Sequence, residues 1–266
     1  MHPPSTVPPV AELVAPPSWR TVDFISDLHL NAGEPATLAA WQAYLQQTPA
    51  DAVFILGDLF EVWVGDDCAC PDAAGAVPGF EAACAQVLRQ ASRQRALFFM
   101  HGNRDFLVGR DFIGGCNTTL LQDPTVLSFA GQRWLLSHGD ALCLDDLDYM
   151  QFRQQVRSPG WQTAFLARPL AERQALARGM RQQSEARKHA SADYVGIDPA
   201  AARQWLVAAH ASTLIHGHTH QPALHDLGGG LSRIVLSDWD AAASVPRAEV
   251  LRLDSGGLRR IALLSA

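Results

Sequence analysis

An α/β fold is what this sequence predicts, and two observations predict it. Five short apolar, β-prone runs each end in side chains that can hold a metal ion, and helix-compatible stretches separate them. The runs are TVDFISDLH (21–29), AVFILGD (52–58), ALFFMHGN (96–103), RWLLSHGD (133–140) and TLIHGHTH (213–220). Four or five consecutive apolar residues bounded by glycine read as strands buried on both faces. Their polar ends then fall at the C-terminal ends of strands, where open α/β sheets bind ligands. With 266 residues, 48% apolar and 18% charged, the chain can bury a real core and is not a mostly disordered protein.

Along the chain, residues 1–20 hold six prolines and lack a basic stretch backed by an apolar one, so they read as a disordered lead-in and not a signal peptide. The domain then runs over 21–266. Helices are expected at 35–47 and 80–94, between the first three strand runs. From about Asp146 to Ala211 the pattern changes: no β run appears, and Gln, Arg and Ala dominate. This predicts a helical insertion over about 147–211, with Trp161, Phe165, Leu166 and Leu170 compatible with one helix face and Pro159 and Pro169 bounding it. SRIVLSDWD (232–240) and AEVLRL (248–253) read as closing strands, with turns at Gly228–Gly230 and Gly256–Gly257.

The net charge of −6 is not that of a molecule built to grip nucleic acid, and no nucleic-acid-binding module is recognisable. The average hides one basic stretch. Between Arg153 and His189 eight Lys or Arg face two acids, on an otherwise acidic body. Five cysteines (Cys68, Cys70, Cys84, Cys116, Cys143), without a Cys-x-x-Cys pair, read as free thiols in a reducing compartment. No apolar run approaches the ~20 residues that a spanning helix needs.

The polar strand ends carry the chemistry. Together they offer Asp27, His29, Asp58, Asn103, His138, His216 and His218. Oxygen and imidazole donors without thiolate suit Mn, Fe or Zn. Asp-x-His and His-x-His each put two donors on one side of an extended chain. A carboxylate such as Asp58 can bridge two cations, and two cations ~3.5–4 Å apart activate water and clamp phosphoryl oxygens. A single such motif is commonly a satisfied polar loop, whereas five in order argue for a joint site.

The motifs DLH, GDLFEVWVGDD, GNRDFLVG, SHGD and HGHTHQPA resemble those of the calcineurin-like metallophosphoesterases. More closely they are similar to the bacterial UDP-2,3-diacylglucosamine pyrophosphatases of lipid A biosynthesis, over about residues 21–253. The resemblance implies a sandwich of two β-sheets flanked by helices, with a helical lid inserted over the site. It implies two Mn2+ per chain. Asp27, His29, Asp58 and His218 would hold one cation, and Asp58, Asn103, His138 and His216 the other. It implies contacts to a UDP-diacylglucosamine lipid from Asn103, Arg104, Asp146, Ser184 and His216. Lys188 and Ser191 stand where some members have Asn and Lys. The products would be UMP and the diacylated glucosamine 1-phosphate. The protein is expected in the cytoplasm, against the inner face of the membrane, as a monomer.

Arg104 stands where most two-metal phosphoesterases carry a His that protonates a leaving group. Arginine cannot donate a proton near neutral pH. A sugar phosphate leaving from a pyrophosphate is already a stable anion, and a guanidinium suits its growing charge. The plainer alternative is a structural arginine paired with Asp105 or Asp111. The residues also allow a general phosphodiesterase, a metal-free scaffold of the same fold, and an insertion of two helices with solvated basic faces.

Overall fold

The computed structural model describes residues 7–69, 79–190 and 196–264, and for 182–190 the backbone alone. Two six-stranded mixed sheets pack face to face, with helices on both outer faces. The first sheet has the order β12 (Gly257–Ala262), β11 (Glu249–Asp254), β2 (Val22–Ile25), β3 (Ala52–Leu56), β4 (Ala96–Met100), β5 (Thr119–Leu121). The second runs β1 (Ala11–Val14), β6 (Thr125–Phe129), β7 (Gln132–Ser137), β8 (Thr213–His216), β10 (Leu231–Val235), β9 (Ala223–Gly228).

The predicted strands form because their apolar runs satisfy both faces of a sheet. β2, β3 and β4 pair in parallel with Phe24, Phe54 and Phe98 in register. These rings face the second sheet, where Leu127, Trp134, Leu136 and Ile215 meet them. Phe54 stacks on Phe98 with ring centroids 4.6 Å apart. Their neighbours Ile25, Ile55 and Phe99 point the other way, onto Trp41 and Leu45 of α1 (Pro35–Gln47) and Leu88 of α2 (Phe80–Ala91). Burying each such side chain is worth ~1.5–3 kcal/mol. The short α3 (Arg110–Gly115) completes that layer through Phe112 and Ile113.

The lead-in differs from expectation. β1 pairs in parallel with β6, and Leu13 packs onto the core between the sheets. Only four residues alternate there, and the flanking prolines mask them; proline is tolerated beside an edge strand. Residues 1–6 lie outside the described residues.

The expected insertion divides in two. α7 (Pro199–Ala208) buries Ala201, Ala202, Trp205 and Leu206 against Val126, Leu135 and Leu214, so it is the helical layer of the second sheet. The true excursion is α4 (Leu147–Val156), α5 (Pro159–Leu166) and α6 (Leu170–Ala190). Ser158 caps α5 and Pro159 occupies its first turn. Phe165 is buried in the first-sheet core, while Leu166 is 42% exposed, so the two do not form one solvent-facing stripe. Arg173 fastens α6 to the loop after β3, donating to Val64 O and the Asp67 carboxylate. No helix among the described residues is long and apolar enough to cross a membrane. The described cysteines, Cys68, Cys84, Cys116 and Cys143, are all free thiols.

Candidate metal centre and active site

The C-terminal ends of β2, β3, β4, β7 and β8 converge, and the chain bends sharply at several of them. Asp27 (φ 55°), His29 (φ 48°), Asp58 (φ 53°), His218 (φ 67°) and His220 (φ 51°) all adopt the left-handed conformation. That conformation is uncommon outside glycine and costs ~1–3 kcal/mol per residue, so its concentration here marks a site held under strain. Two glycines permit the approach of these loops. A Cβ at Gly102 would overlap Asp58 Oδ1, and one at Gly217 would overlap Asp27 Oδ2 and Ser26 Oγ.

Two groups of donor atoms result. In the first, Asp27, His29 and His220 bring ligand atoms within 4.8 Å of one another. His29 Nε2 lies 3.2 Å from His220 Nε2, which lies 3.2 Å from Asp27 Oδ1. In the second, Asp27, Asp58 and His138 meet the same limit. Asn103 Oδ1 joins them, 3.0 Å from His138 Nε2 and 2.8 Å from His218 Nδ1. His138 donates from Nδ1 to Leu56 O at 2.9 Å, which aims Nε2 inward. Ser26 Oγ and the His218 N–H occupy Asp27 Oδ2, and the Arg104 N–H occupies Asp58 Oδ1. One carboxylate oxygen of each aspartate remains.

The histidines of HGHTH sit two positions away from the expected register. His220, not His218, stands with Asp27 and His29, and His218 takes the place expected of His216. His216 is the last residue of β8 and fully buried. Its Nδ1 lies 2.9 Å from Gly217 O and its Nε2 3.3 Å from Arg233 Nη1. In an extended chain alternate residues share a face, so by pattern the three histidines are equivalent. The strand ends at His216, and the left-handed turns at His218 and His220 carry only those two rings into the site.

Arg104 has neither of the partners considered for it. Its Nη1 lies 3.6 Å from Glu61 Oε1. Asp105 turns inward and accepts from the backbone N–H groups of Asp58, Leu59, Phe60 and Gly102, tying the two loops together. Asp146 caps α4, accepting from the Tyr149 N–H at 3.0 Å. Ser184 and Lys188 lie on the last turns of α6, where only the backbone is described, and Ser191 lies outside the described residues.

Asp140 is a site residue that sequence pattern does not single out. It is fully buried and accepts from Tyr149 Oη at 2.6 Å and Arg153 Nε at 2.8 Å. Arg157 Nη2 donates to Gly102 O at 2.8 Å. α4 is thereby bound to the floor of the site. The motif SHGD holds both His138 and Asp140, and nothing local tells the inward-facing donor from the helix anchor.

The donors fit divalent cations. Asp27 Oδ1 is buried without a hydrogen bond of proper geometry, and two imidazole Nε2 atoms face each other beside it. Ligands held ~2.0–2.2 Å from one ion stand about 3 Å apart, as these do. The family model for calcineurin-like phosphoesterases matches residues 20–222. The chain belongs to that family. The phosphoesterase is 46% identical over 251 residues to a UDP-2,3-diacylglucosamine hydrolase of Chromobacterium violaceum, covering 91% of this chain and 98% of that one. It is 45% identical over 249 residues to the protein of that name from Ralstonia nicotianae (89% and 90%). It is 46% identical over 222 residues to that from Aromatoleum aromaticum (81% and 88%).

Charge alternates through the phosphoesterase's site. Burial would raise the Asp27 carboxyl, yet His220, His138 and His29 hold it well below the usual carboxylate range. Burial opposes the charged form of His138, but Asp58, Asp27 and Asp140 prevail and lift it to about 9. Burial and then the His138 charge push His218 down to about 3. Burial would likewise raise Asp140, but Arg153 and Arg157 hold it low. The anionic surplus around His138 is what a divalent cation would satisfy in place of that proton.

Proposed function

We propose that this phosphoesterase hydrolyses the pyrophosphate of UDP-2,3-diacylglucosamine, giving UMP and 2,3-diacylglucosamine 1-phosphate, the lipid A precursor reaction. The observation that carries the reading is two adjoining donor groups, Asp27 with His29 and His220 and Asp58 with His138 and Asn103, with Arg104 beside them. The relatives of the same length, each called a UDP-2,3-diacylglucosamine hydrolase, support the substrate. Asp27, His29, Asp58 and His220 would hold one cation, and Asp58, Asn103, His138 and His218 the other. Mixed oxygen and imidazole donors without thiolate suit manganese, iron or zinc, and the family resemblance makes manganese our choice among them. Bound cations would supply an activated water and neutralise phosphoryl oxygens.

The chain's own residues do the rest. The Asn103 carboxamide completes a donor set without adding charge. The Arg104 guanidinium holds the negative charge that grows on the sugar-phosphate oxygen as the bond to phosphorus breaks. No proton is required there, so an arginine serves where an ester would demand an acid. Asp146, Ser184, Lys188 and Ser191 would contact the substrate in this reading, on the strength of the sequence resemblance. Exposed Leu147, Phe152, Leu166, Leu176 and Met180, among arginines of the same helices, are apolar surface for acyl chains and for a membrane face.

The test is turnover of purified, Mn-loaded protein on UDP-2,3-diacylglucosamine beside UDP-glucosamine in 18O-labelled water. Label in UMP and preference for the acylated substrate are expected. Equal turnover of both, or label in the sugar phosphate, contradicts the assignment.

A further inference from the structure

Glu61 occupies a junction that the chemistry above leaves unused. It lies five residues past the end of β3 and is 9% exposed. Its two oxygens divide their partners. Oε2 is 3.1 Å from His29 Nδ1, an ion-pair distance without the geometry of a full hydrogen bond. Oε1 is 3.6 Å from Arg104 Nη1 and 3.2 Å from Arg181 Nε, the latter reaching down from α6. The carboxylate thus touches a metal-facing imidazole with one atom and two guanidiniums with the other.

Each contact has a physical consequence. A carboxylate facing Nδ1 favours the proton on that nitrogen, which leaves the Nε2 lone pair free for a cation. His29 Nε2 is the atom facing His220 Nε2 in the first donor group. Arg104 and Arg181 would repel each other if brought together alone. A shared carboxylate neutralises part of that charge and sets their spacing. The backbone supports the carboxylate independently, since the Glu61 N–H donates to Leu30 O at 3.1 Å. α6 is joined to this same stretch of chain by Arg173 at Val64 and Asp67.

We propose that Glu61 is a positioning residue for the reaction. It biases His29 toward the Nδ1–H tautomer and pairs Arg104 and Arg181 through its other oxygen, tying α6 to the first donor group. The proposal rests on the two-cation reading for its effect on turnover, but the tautomer claim stands apart from it.

The experiment compares wild type with Glu61→Gln, which keeps the volume, and Glu61→Ala. Nitrogen-15 NMR of the histidine rings is recorded on metal-free and Zn2+-loaded protein, and Mn2+ binding is followed by calorimetry. Wild-type His29 should show a protonated Nδ1 in metal-free protein. Glu61→Gln should show both tautomers, because an amide can accept from or donate to Nδ1. Affinity for one of the two Mn2+ should fall ~10–100-fold in Glu61→Ala and less in Glu61→Gln, with the other little changed. An Arg181→Ala variant should raise KM while leaving the His29 spectrum as in wild type. Unchanged His29 signals and unchanged affinity for both cations in folded Glu61→Gln and Glu61→Ala overturn the proposal. Wild-type protein that binds no cation would sink the proposed function, and the His29 spectra would still decide the tautomer.

Discussion

Replacing Asp105 by Asn perturbs a buried knot that touches no substrate. Its Oδ2 accepts from Leu59 N at 2.8 Å and Phe60 N at 3.3 Å; its Oδ1 accepts from Gly102 N at 2.8 Å and Asp58 N at 3.3 Å. An asparagine keeps one acceptor oxygen and turns an NH2 toward two N–H donors. A buried donor left without a partner costs ~1–3 kcal/mol, so two amount to about 2–6. There is an offset, because burial and then the Asp58 charge raise the Asp105 carboxyl to about 7, and the neutral amide relieves that repulsion. A net loss of about 2–4 kcal/mol is expected. For a chain of this size each kcal/mol moves Tm by ~2–4 °C, giving a fall of roughly 4–16 °C. Calorimetry at fixed pH with saturating Mn2+ and with chelator would measure it. The Asp58 loop and the Gly102–Asn103 loop should separate, so cation binding should weaken as well. A variant with unchanged Tm and full metal content would refute the idea that Asp105 holds the two loops in place.

His220→Ala should lower affinity for one cation by at least ~10-fold, whereas His216→Ala should lower Tm and leave two cations bound; metal analysis after dialysis separates the two, and the reverse pattern would restore the register expected from sequence. His138 is lifted to about 9 in metal-free protein, so its proton stabilises the fold fully below about 6.5 and that stability fades as pH rises through 9. Because a ligand imidazole must be neutral, Mn2+ affinity should rise over the same window with proton release, read by calorimetry in buffers of different ionisation enthalpy. Arg104→Ala should cut kcat on the pyrophosphate ~10²–10³-fold, with Lys restoring only part; an effect on KM alone across phosphodiesters of graded leaving-group pKa would mean that it merely binds phosphate. Leu166→Ala should raise KM for the diacyl substrate and spare a small aryl phosphodiester, while buried Phe165→Ala should cost ~3–5 kcal/mol of stability and hurt both.

The α/β architecture and the set of strand ends that meet were legible in the residues. Apolar runs such as AVFIL and ALFFM, only five residues long between polar or glycine neighbours, read as buried strands, and such strands deliver the next polar residues to one rim of a sheet. Asp27, Asp58 and His138 reach the same place for that reason, one or two residues past their strands, with Asn103 three and His29 four residues past theirs. Closure of the chain in space decided the rest. Alternation cannot tell His216 from His218 or His220 once a strand has ended, and the left-handed bends after β8 select the last two. Glu61 acts through His29 and α6, and Asp140 through α4, partners that lie on other elements. Asp105 acts through backbone N–H groups that no side-chain pattern reports. The lead-in strand exists only because β6 offers it an edge. Local pattern fixes which face a residue takes within an element, whereas partners between elements depend on how the chain closes in three dimensions.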